Sequence, residues 1–132
     1  MKWLSSLDPA LVVLLVAVAA VAVLVLLKRG TLVPADKASA LLARGGVVVD
    51  VRTAREFASG HLPGAANIPL DELAARIAAA VPDKSTPVLV HCLSGTRSAM
   101  ACRTLKGLGY AEVVNLGSVA RARRIVGDGA PR

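Results

Sequence analysis

The amino-acid sequence predicts a small α/β domain, with a central parallel sheet flanked by helices, preceded by one N-terminal transmembrane helix. Of the 132 residues, 55% are hydrophobic, and the apolar excess is concentrated in one charge-free stretch near the N-terminus. The remainder, about 105 residues, has ordinary globular composition and is long enough to bury a core of its own. Within it, three short apolar runs alternate with helical stretches, which is typical of a parallel sheet covered on both faces.

The apolar stretch has the length of a membrane anchor. Every residue from Ala10 to Leu27 is Ala, Val or Leu, and a helix of that length spans roughly 27 Å, close to the ~30 Å hydrocarbon thickness of a bilayer. Asp8 can cap this helix, Pro9 suits its first turn, and Trp3 stands where an interfacial aromatic is expected. A cleaved signal peptide is the alternative, but its apolar region usually runs only about 7–15 residues. The sequence therefore favours a retained anchor over residues 1–29.

The charges that flank the anchor predict its direction. Lys28, Arg29 and Lys37 follow the apolar stretch, whereas Lys2 precedes it and is offset by Asp8. Because positively charged flanks stay on the cytoplasmic side, we expect a single-pass protein of the cell (inner) membrane with its domain in the cytoplasm. A free thiol also suits that reducing compartment.

The net charge of +7 belongs to the domain and bears on its partners. A basic domain beside a bilayer attracts anionic headgroups or small anionic substrates. Nucleic acid is a poorer fit, because the domain has only Phe57 and Tyr110 for base stacking. Two cysteines and two histidines, without ligand spacing, predict neither a disulfide framework nor a metal site, and no cofactor is expected.

The predicted domain covers residues 35–127, after a linker at 30–34 and before a tail at 128–132. The elements expected within it are, in order, helix 35–44, strand 47–50, helix 70–81, strand 88–90, helix 98–108, strand 113–114 and a last helix that carries Arg121, Arg123 and Arg124. Gly45-Gly46 and Pro82 mark helix ends, and the β-branched runs indicate buried strands. The spacing of Leu73, Ala74 and Ile77 predicts an apolar helix face.

One stretch has the features of a reactive cysteine. It follows strand 88–90, at the carboxyl end of the sheet, where open α/β sheets place their chemistry. Gly95 permits a positive φ and so lets successive N–H groups point inward, while the charge of Arg97 and the helix that begins near Ser98 add positive potential. These features favour the thiolate of Cys92 and lower its pKa from about 8.5. Cys92 is the candidate catalytic residue, and the candidate substrate-binding residues form the loop after it: Leu93, Ser94, Gly95, Thr96, Arg97 and Ser98.

Other polar and titratable residues are expected to be structural. Cys102 lies in the middle of a helix with no cation placed for it, so we expect it in the core. His91 should point away from the nucleophile, because side chains alternate along a strand. Asp50 and Arg52 are expected to pair with each other or with the active loop. For His61, a hydrogen bond to backbone in a turn is favoured over a role as general base.

Two longer motifs carry a resemblance to a known family. The first comprises Asp50-Val51-Arg52, Glu56-Phe57 and the run Gly60–Pro69, and the second is Cys92–Ser98, similar to a Cys-x-x-Gly-x-Arg-Ser loop. From about Val33 to Ile125 the chain resembles the single-domain type of the rhodanese family of thiosulfate:cyanide sulfurtransferases. The resemblance implies a rhodanese-like fold, with Cys92 as the residue that carries sulfur as a persulfide.

The length of the loop separates two classes of enzyme that share this fold. The related phosphatases and arsenate reductases use a longer Cys-x5-Arg cradle for a tetrahedral oxyanion, whereas Arg97 is the fifth residue after Cys92. The shorter loop favours sulfur transfer. Near the C-terminus, Gly117-Ser118 replaces the Gly-Gly of many family members, and the short, basic end resembles the small phage-shock-type sulfurtransferases. We expect the arginines of the last helix to form a solvated face, with a contact to the membrane surface or to an acceptor as the alternative.

The favoured function is therefore transfer of sulfane sulfur by way of Cys92. The expected partners are a small anionic donor such as thiosulfate, a cyanide or thiol acceptor that includes a protein sulfur acceptor, and the membrane through residues 10–27, but no nucleic acid. The alternative is a membrane-tethered binding or regulatory module of the same fold, or a protein persulfide relay without turnover of free thiosulfate.

Overall fold

The computed structural model describes residues 7–30 and 32–127, with the backbone alone described for residues 28–30. The chain divides into two compact units between residues 31 and 32. The expectations for Lys2 and Trp3, for the side chains of Lys28 and Arg29, and for the tail 128–132 fall outside the described residues.

The first unit contains one helix, α1, from Pro9 to Gly30. The Asp8 carboxylate accepts a hydrogen bond from the Ala10 N–H at 2.9 Å, which is the predicted N-cap. Within α1, the stretch Pro9–Leu27 has a mean hydropathy of 3.4 and is long enough to cross a membrane. A membrane anchor and a signal sequence share these properties.

The second unit is an α/β domain around a four-stranded parallel sheet. Its strands are β1 Val47–Asp50, β2 Ala66–Asn67, β3 Val88–Cys92 and β4 Val113–Ser118, in the spatial order β2-β1-β3-β4. Its helices are α2 Ala35–Ala43, α3 Ala54–Ala58, α4 Leu73–Ala80, α5 Thr96–Gly107 and α6 Val119–Val126, with a 3₁₀ turn at Leu70–Glu72. The predicted fold class is confirmed.

Both faces of the sheet are buried, as the solid apolar strands predict. Val49 and Val90 belong to one cluster, which also contains Ile77 of α4 and Leu105 of α5. On the opposite face, Leu89 packs in a second cluster with residues of α2 and α6. Each such side chain contributes about 1.5–3 kcal/mol by leaving water, and together they fix the carboxyl end of β3 in the middle of the sheet.

Several elements differ from the sequence prediction. Strands β3 and β4 continue to Cys92 and Ser118, and α5 begins at Thr96 instead of Ser98. Helix α3 and strand β2 were not predicted, because five and two residues are too short to show a period. Ala74 is exposed, since Leu73 and Ile77 already form the buried stripe of α4.

The segment before α2 is part of the domain packing. Val33, which falls in the predicted linker, is only 5% exposed, and its N–H donates to the Asn115 carbonyl at 2.9 Å. The guanidinium of Arg121 donates to the carbonyls of Val33 and Leu116. The expectation of a solvated basic face is thus wrong for Arg121, because its charge satisfies two backbone acceptors at the C-terminal end of the sheet.

Candidate active site

Cys92 is the last residue of β3, and its side chain is fully buried. Its Sγ accepts a hydrogen bond from the Gly95 N–H, with 2.9 Å between nitrogen and sulfur. The hydroxyl oxygen of Ser98 lies 3.5 Å from the same sulfur and 3.0 Å from the Gly95 carbonyl oxygen. Of the six predicted loop residues, Gly95 and Ser98 thus lie directly at the sulfur, whereas the Leu93 side chain is exposed.

The tight curl of the loop depends on two glycines that lie against each other. Gly95 has a φ of 101° and Gly117 a φ of 88°, both in the left-handed region that glycine adopts without steric cost. A Cβ on Gly95 would lie 3.4 Å from the Gly117 Cα. Next to them, Ser94 forms a β-bridge with Ser118. The end of β4 thus supports the active loop, a contact that sequence reasoning missed.

The pKa of Cys92 lies below its ordinary value. Burial of the thiol would by itself raise that pKa, but hydrogen bonds from the Ser98 hydroxyl and from the backbone N–H groups of Ser98, Gly95 and Ser94 lower it by more. Donors of this kind stabilise the charged form of the group they bind. The sulfur is therefore a better nucleophile near neutral pH than an ordinary buried cysteine.

Arg97 of the loop has a partner that the sequence analysis did not assign. Its two terminal nitrogens donate to the two carboxylate oxygens of Glu56, at 2.6 and 2.9 Å. This pair raises the pKa of Arg97 and lowers the pKa of Glu56 to about 2. The positive charge of Arg97, which is expected to favour the thiolate, is thus shared with a carboxylate from α3. The Thr53-x-x-Glu56 spacing of a capping box could have predicted both α3 and the position of its carboxylate.

Asp50 and Arg52 pair with each other, one of the two expected arrangements. The guanidinium of Arg52 donates to the Asp50 carboxylate at 2.7–3.0 Å, and both side chains are buried. Arg52 also donates to the Gly60 carbonyl at 2.8 Å, and the Asn67 amide donates to the carbonyls of Asp50 and Arg52. This network ties the end of β1 to β2 and to the loop at Gly60.

The two histidines occupy structural positions. His91 is fully buried, and its Nε2 lies 3.7 Å from the Asp50 carboxylate. Val90 and Cys92, on either side of it, pack together in one apolar cluster, so the His91 side chain points away from that of Cys92, as predicted. Burial lowers the pKa of His91, which keeps the ring neutral at physiological pH. The His61 ring stacks on Phe57 and its Nδ1 lies 2.9 Å from the Phe57 carbonyl, the backbone contact expected in this turn.

Cys102 is a core residue. It is 8% exposed in the cluster beneath α5, and burial raises its pKa to about 11. A thiol with such a pKa is almost fully protonated at neutral pH. Within residues 7–30 and 32–127, the structure contains no cluster of three or more His, Cys, Asp or Glu residues that could hold a metal ion.

A cysteine at the carboxyl end of a central parallel strand, enclosed by a six-residue polar loop, is the arrangement found in a known class of α/β proteins. Residues 34–119 match the Rhodanese-like domain. Since that match covers more than half of the chain, the protein belongs to the rhodanese-like family, and it is an enzyme of the sulfurtransferase type.

Individual relatives agree with this assignment. The chain is 44% identical over 71 residues to thiosulfate sulfurtransferase PspE of Escherichia coli K12, a match that covers 54% of this chain and 68% of that protein. It is 37% identical over 84 residues to thiosulfate sulfurtransferase GlpE of Pseudomonas savastanoi pv. phaseolicola, covering 64% and 77% of the two chains. A solved structure of a rhodanese with anions from E. coli superimposes with a TM-score of 0.56 at 41% identity, covering 58% of this chain and 89% of that one.

Proposed function

We propose that this protein transfers sulfane sulfur from thiosulfate, or from a persulfide donor, to cyanide or a thiol acceptor by way of a persulfide on Cys92. The observation that carries the proposal is the environment of the Cys92 sulfur. It is buried, it accepts a hydrogen bond from the Gly95 N–H, and its pKa is lowered by the loop. Two relatives are named thiosulfate sulfurtransferases, and these names support thiosulfate as the proposed donor.

The first half-reaction is a displacement at sulfur. The Cys92 thiolate attacks the outer sulfur of thiosulfate and forms a new S–S bond. The S–S bond of thiosulfate breaks, and sulfite leaves with its electron pair. In the second half-reaction the acceptor attacks the outer sulfur of the persulfide, and Cys92 leaves as a thiolate. The products are thiocyanate or an acceptor persulfide, and the cycle is ping-pong covalent catalysis that needs no cofactor.

The loop supplies the electrostatic part of this cycle. Negative charge lies on a sulfur atom at the bottom of the loop at the start and end of each half-reaction. N–H donors that are already oriented stabilise such a charge without reorganising during the reaction. Ser94, Gly95, Thr96, Arg97 and Ser98 are the proposed substrate-binding residues, with Leu93 at the rim. The structure of a related E. coli rhodanese with anions is in keeping with an anion-binding loop.

A protein acceptor is the second candidate, and one observation favours it. Leu93, directly after the nucleophile, has 55% of its surface exposed, whereas most large apolar side chains of the domain are in its two clusters. An apolar residue at the mouth of the site offers a contact to the surface of a protein. In that case Cys92 relays sulfur to a partner thiol, by the same displacement.

We further propose that α1 is retained as a single-pass anchor in the inner membrane, with the catalytic domain in the cytoplasm. The support is the length and apolar character of Pro9–Leu27 and the positive residues Lys28 and Arg29 directly after it. A sulfurtransferase held at the membrane would meet its donor and acceptor beside the cytoplasmic leaflet.

Formation of thiocyanate from thiosulfate and cyanide tests the proposed function. We expect Cys92→Ser to abolish turnover, because a hydroxyl cannot carry sulfane sulfur. Cys102→Ser makes the same chemical change in the core and should leave most of the activity. Thermal unfolding of both variants verifies that each is folded. Loss of activity in the Cys102 variant alone would show that the nucleophile is assigned wrongly.

A further inference from the structure

The mouth of the active site holds a charge pair that spans two elements of the fold. Arg97 lies in the first turn of α5, and Glu56 lies on α3, 41 residues earlier in the chain. The carboxylate and the guanidinium meet in a two-point contact at 2.6 and 2.9 Å. A contact of this geometry fixes the orientation of the guanidinium as well as balancing its charge.

Glu56 is itself held in place. Its Oε1 also accepts hydrogen bonds from the Thr53 N–H at 3.2 Å and from the Thr53 hydroxyl at 3.1 Å, and the Thr53 hydroxyl accepts from the Glu56 N–H in return. This capping box anchors the carboxylate to the start of α3. The pKa of Glu56, about 2, keeps it ionised throughout the neutral range.

The pair therefore carries no net charge, and this changes the electrostatic attraction of the site for an anionic donor. The Ser98 hydroxyl and neutral backbone N–H groups lower the pKa of Cys92 most, and the charge of Arg97 also interacts with the Cys92 thiolate. An unpaired Arg97 would favour a doubly charged donor strongly, whereas an arginine paired with Glu56 favours it much less.

We propose that Glu56 determines donor specificity: by neutralising Arg97, it lets singly charged thiosulfonates and persulfides compete with doubly charged thiosulfate. The inference rests on the proposed sulfur transfer through Cys92. Glu56 is a positioning residue, since it acts through Arg97 and does not touch the reacting sulfur. With a thiosulfonate donor the thiolate attacks the outer sulfur, the S–S bond breaks, and the sulfinate leaves with the electron pair.

The variant Glu56→Gln removes the negative charge of the side chain while it keeps a similar shape. Glutamine retains an acceptor for the Thr53 N–H and is compatible with a capping box, but it no longer cancels the charge of Arg97. Using the full chain in detergent, kcat/KM is measured with thiosulfate and with methanethiosulfonate, which carries a single negative charge. We expect the ratio of the two values to rise about tenfold in favour of thiosulfate, mainly through KM. The rate of iodoacetamide alkylation against pH should give a lower pKa for the Cys92 thiol.

Two further variants test whether the change in donor ratio is specific to the Glu56–Arg97 pair. The variant Glu112→Gln breaks an equivalent two-point pair with Arg44, at 3.1 and 2.8 Å, on the exposed surface at the start of β4; its donor ratio should equal that of the wild type. The double variant Arg97→Gln/Glu56→Gln carries no net charge at this position, as the wild-type pair does, so its donor ratio should return to about the wild-type value.

The outcomes separate this inference from the proposed function. A wild-type protein that transfers sulfur from both donors, with an unchanged or lower ratio in Glu56→Gln, overturns the role of Glu56 and leaves the sulfurtransferase intact. A wild-type protein that transfers sulfur from neither donor overturns both. A double variant whose ratio stays as high as that of Glu56→Gln alone would also contradict the inference.

Discussion

The backbone nitrogen of Gly95 lies 2.9 Å from the sulfur of Cys92, and this hydrogen bond depends on a residue without a side chain. Gly95 has a φ of 101°, a conformation that costs other residues free energy. A Cβ on the same glycine would lie 3.4 Å from the Gly117 Cα of β4. The chemistry of the sulfur is thereby linked to the backbone geometry of the loop.

Gly95→Ala should reduce turnover strongly while the domain stays folded. The added methyl group disfavours the left-handed conformation, so the loop N–H turns away from the sulfur. We expect kcat/KM to fall by about a hundredfold, the usual effect of losing one oriented donor, and the pKa of the Cys92 thiol to rise. Gly107→Ala is the matched control, because Gly107 has open space around it. Equal activity of the two variants would contradict the importance of the loop N–H.

Arg97→Ala should weaken the use of thiosulfate and raise the pKa of Cys92. Removing the guanidinium leaves the Glu56 carboxylate unbalanced at the mouth of the site, where it repels both the thiolate and the incoming anion. Arg97→Lys should restore part of the activity, since a point charge cannot reproduce the two-point contact. Steady-state kinetics and alkylation against pH measure both effects. Wild-type kinetics in Arg97→Ala would mean that the backbone donors suffice.

The Glu56–Arg97 pair predicts a dependence of stability on pH. The pKa of Glu56 is lowered to about 2 from an ordinary value of 4.5, so the pair stabilises the folded state fully above pH 4.5. As the pH falls from 4.5 toward 2, that contribution is lost. The difference in thermal midpoint between the wild type and Glu56→Gln should therefore shrink across this range. A difference that stays constant would show that the carboxylate is not paired in solution.

Arg52→Met tests the buried pair at the end of β1. The substitution leaves the fully buried Asp50 carboxylate without its cation, which typically costs about 3–5 kcal/mol. Urea unfolding of the full chain in detergent should show a large loss of stability. Arg44→Met removes the arginine of an exposed pair and should change stability little. A similar loss of stability in both variants would show that burial of the Asp50–Arg52 pair does not increase its effect on stability.

Labelling of cysteine in intact cells tests the direction of the anchor. With the domain in the cytoplasm, a membrane-impermeant thiol reagent should label Cys92 only after lysis. The pKa of Cys102 is raised to about 11, so its protonated thiol contributes little signal, and Cys102→Ser removes it altogether. Ready labelling of intact cells would place the domain outside the cytoplasm and exclude a cytosolic sulfur relay.

Local patterns in the sequence predict three of the four strands of the sheet and the polar loop after Cys92. The apolar runs around Val48 and Leu89 predict strands, because a strand that is buried on both faces is apolar throughout. The loop after Cys92 contains Gly95, a residue type that marks a turn. The Glu56–Arg97 contact joins residues 41 positions apart, and no periodic pattern relates them. The Gly95–Gly117 contact likewise depends on how β3 and β4 lie side by side. Such contacts become visible only once the strand order is known.

The persulfide on Cys92 is the central claim, and mass spectrometry tests it most directly. The purified protein is incubated with thiosulfate, digested without reductant and examined peptide by peptide. We expect one additional sulfur atom on the peptide that contains Cys92, none on the peptide that contains Cys102, and loss of the added sulfur on treatment with cyanide. Unmodified Cys92 after exposure to thiosulfate, or an added sulfur found only on Cys102, would contradict the account.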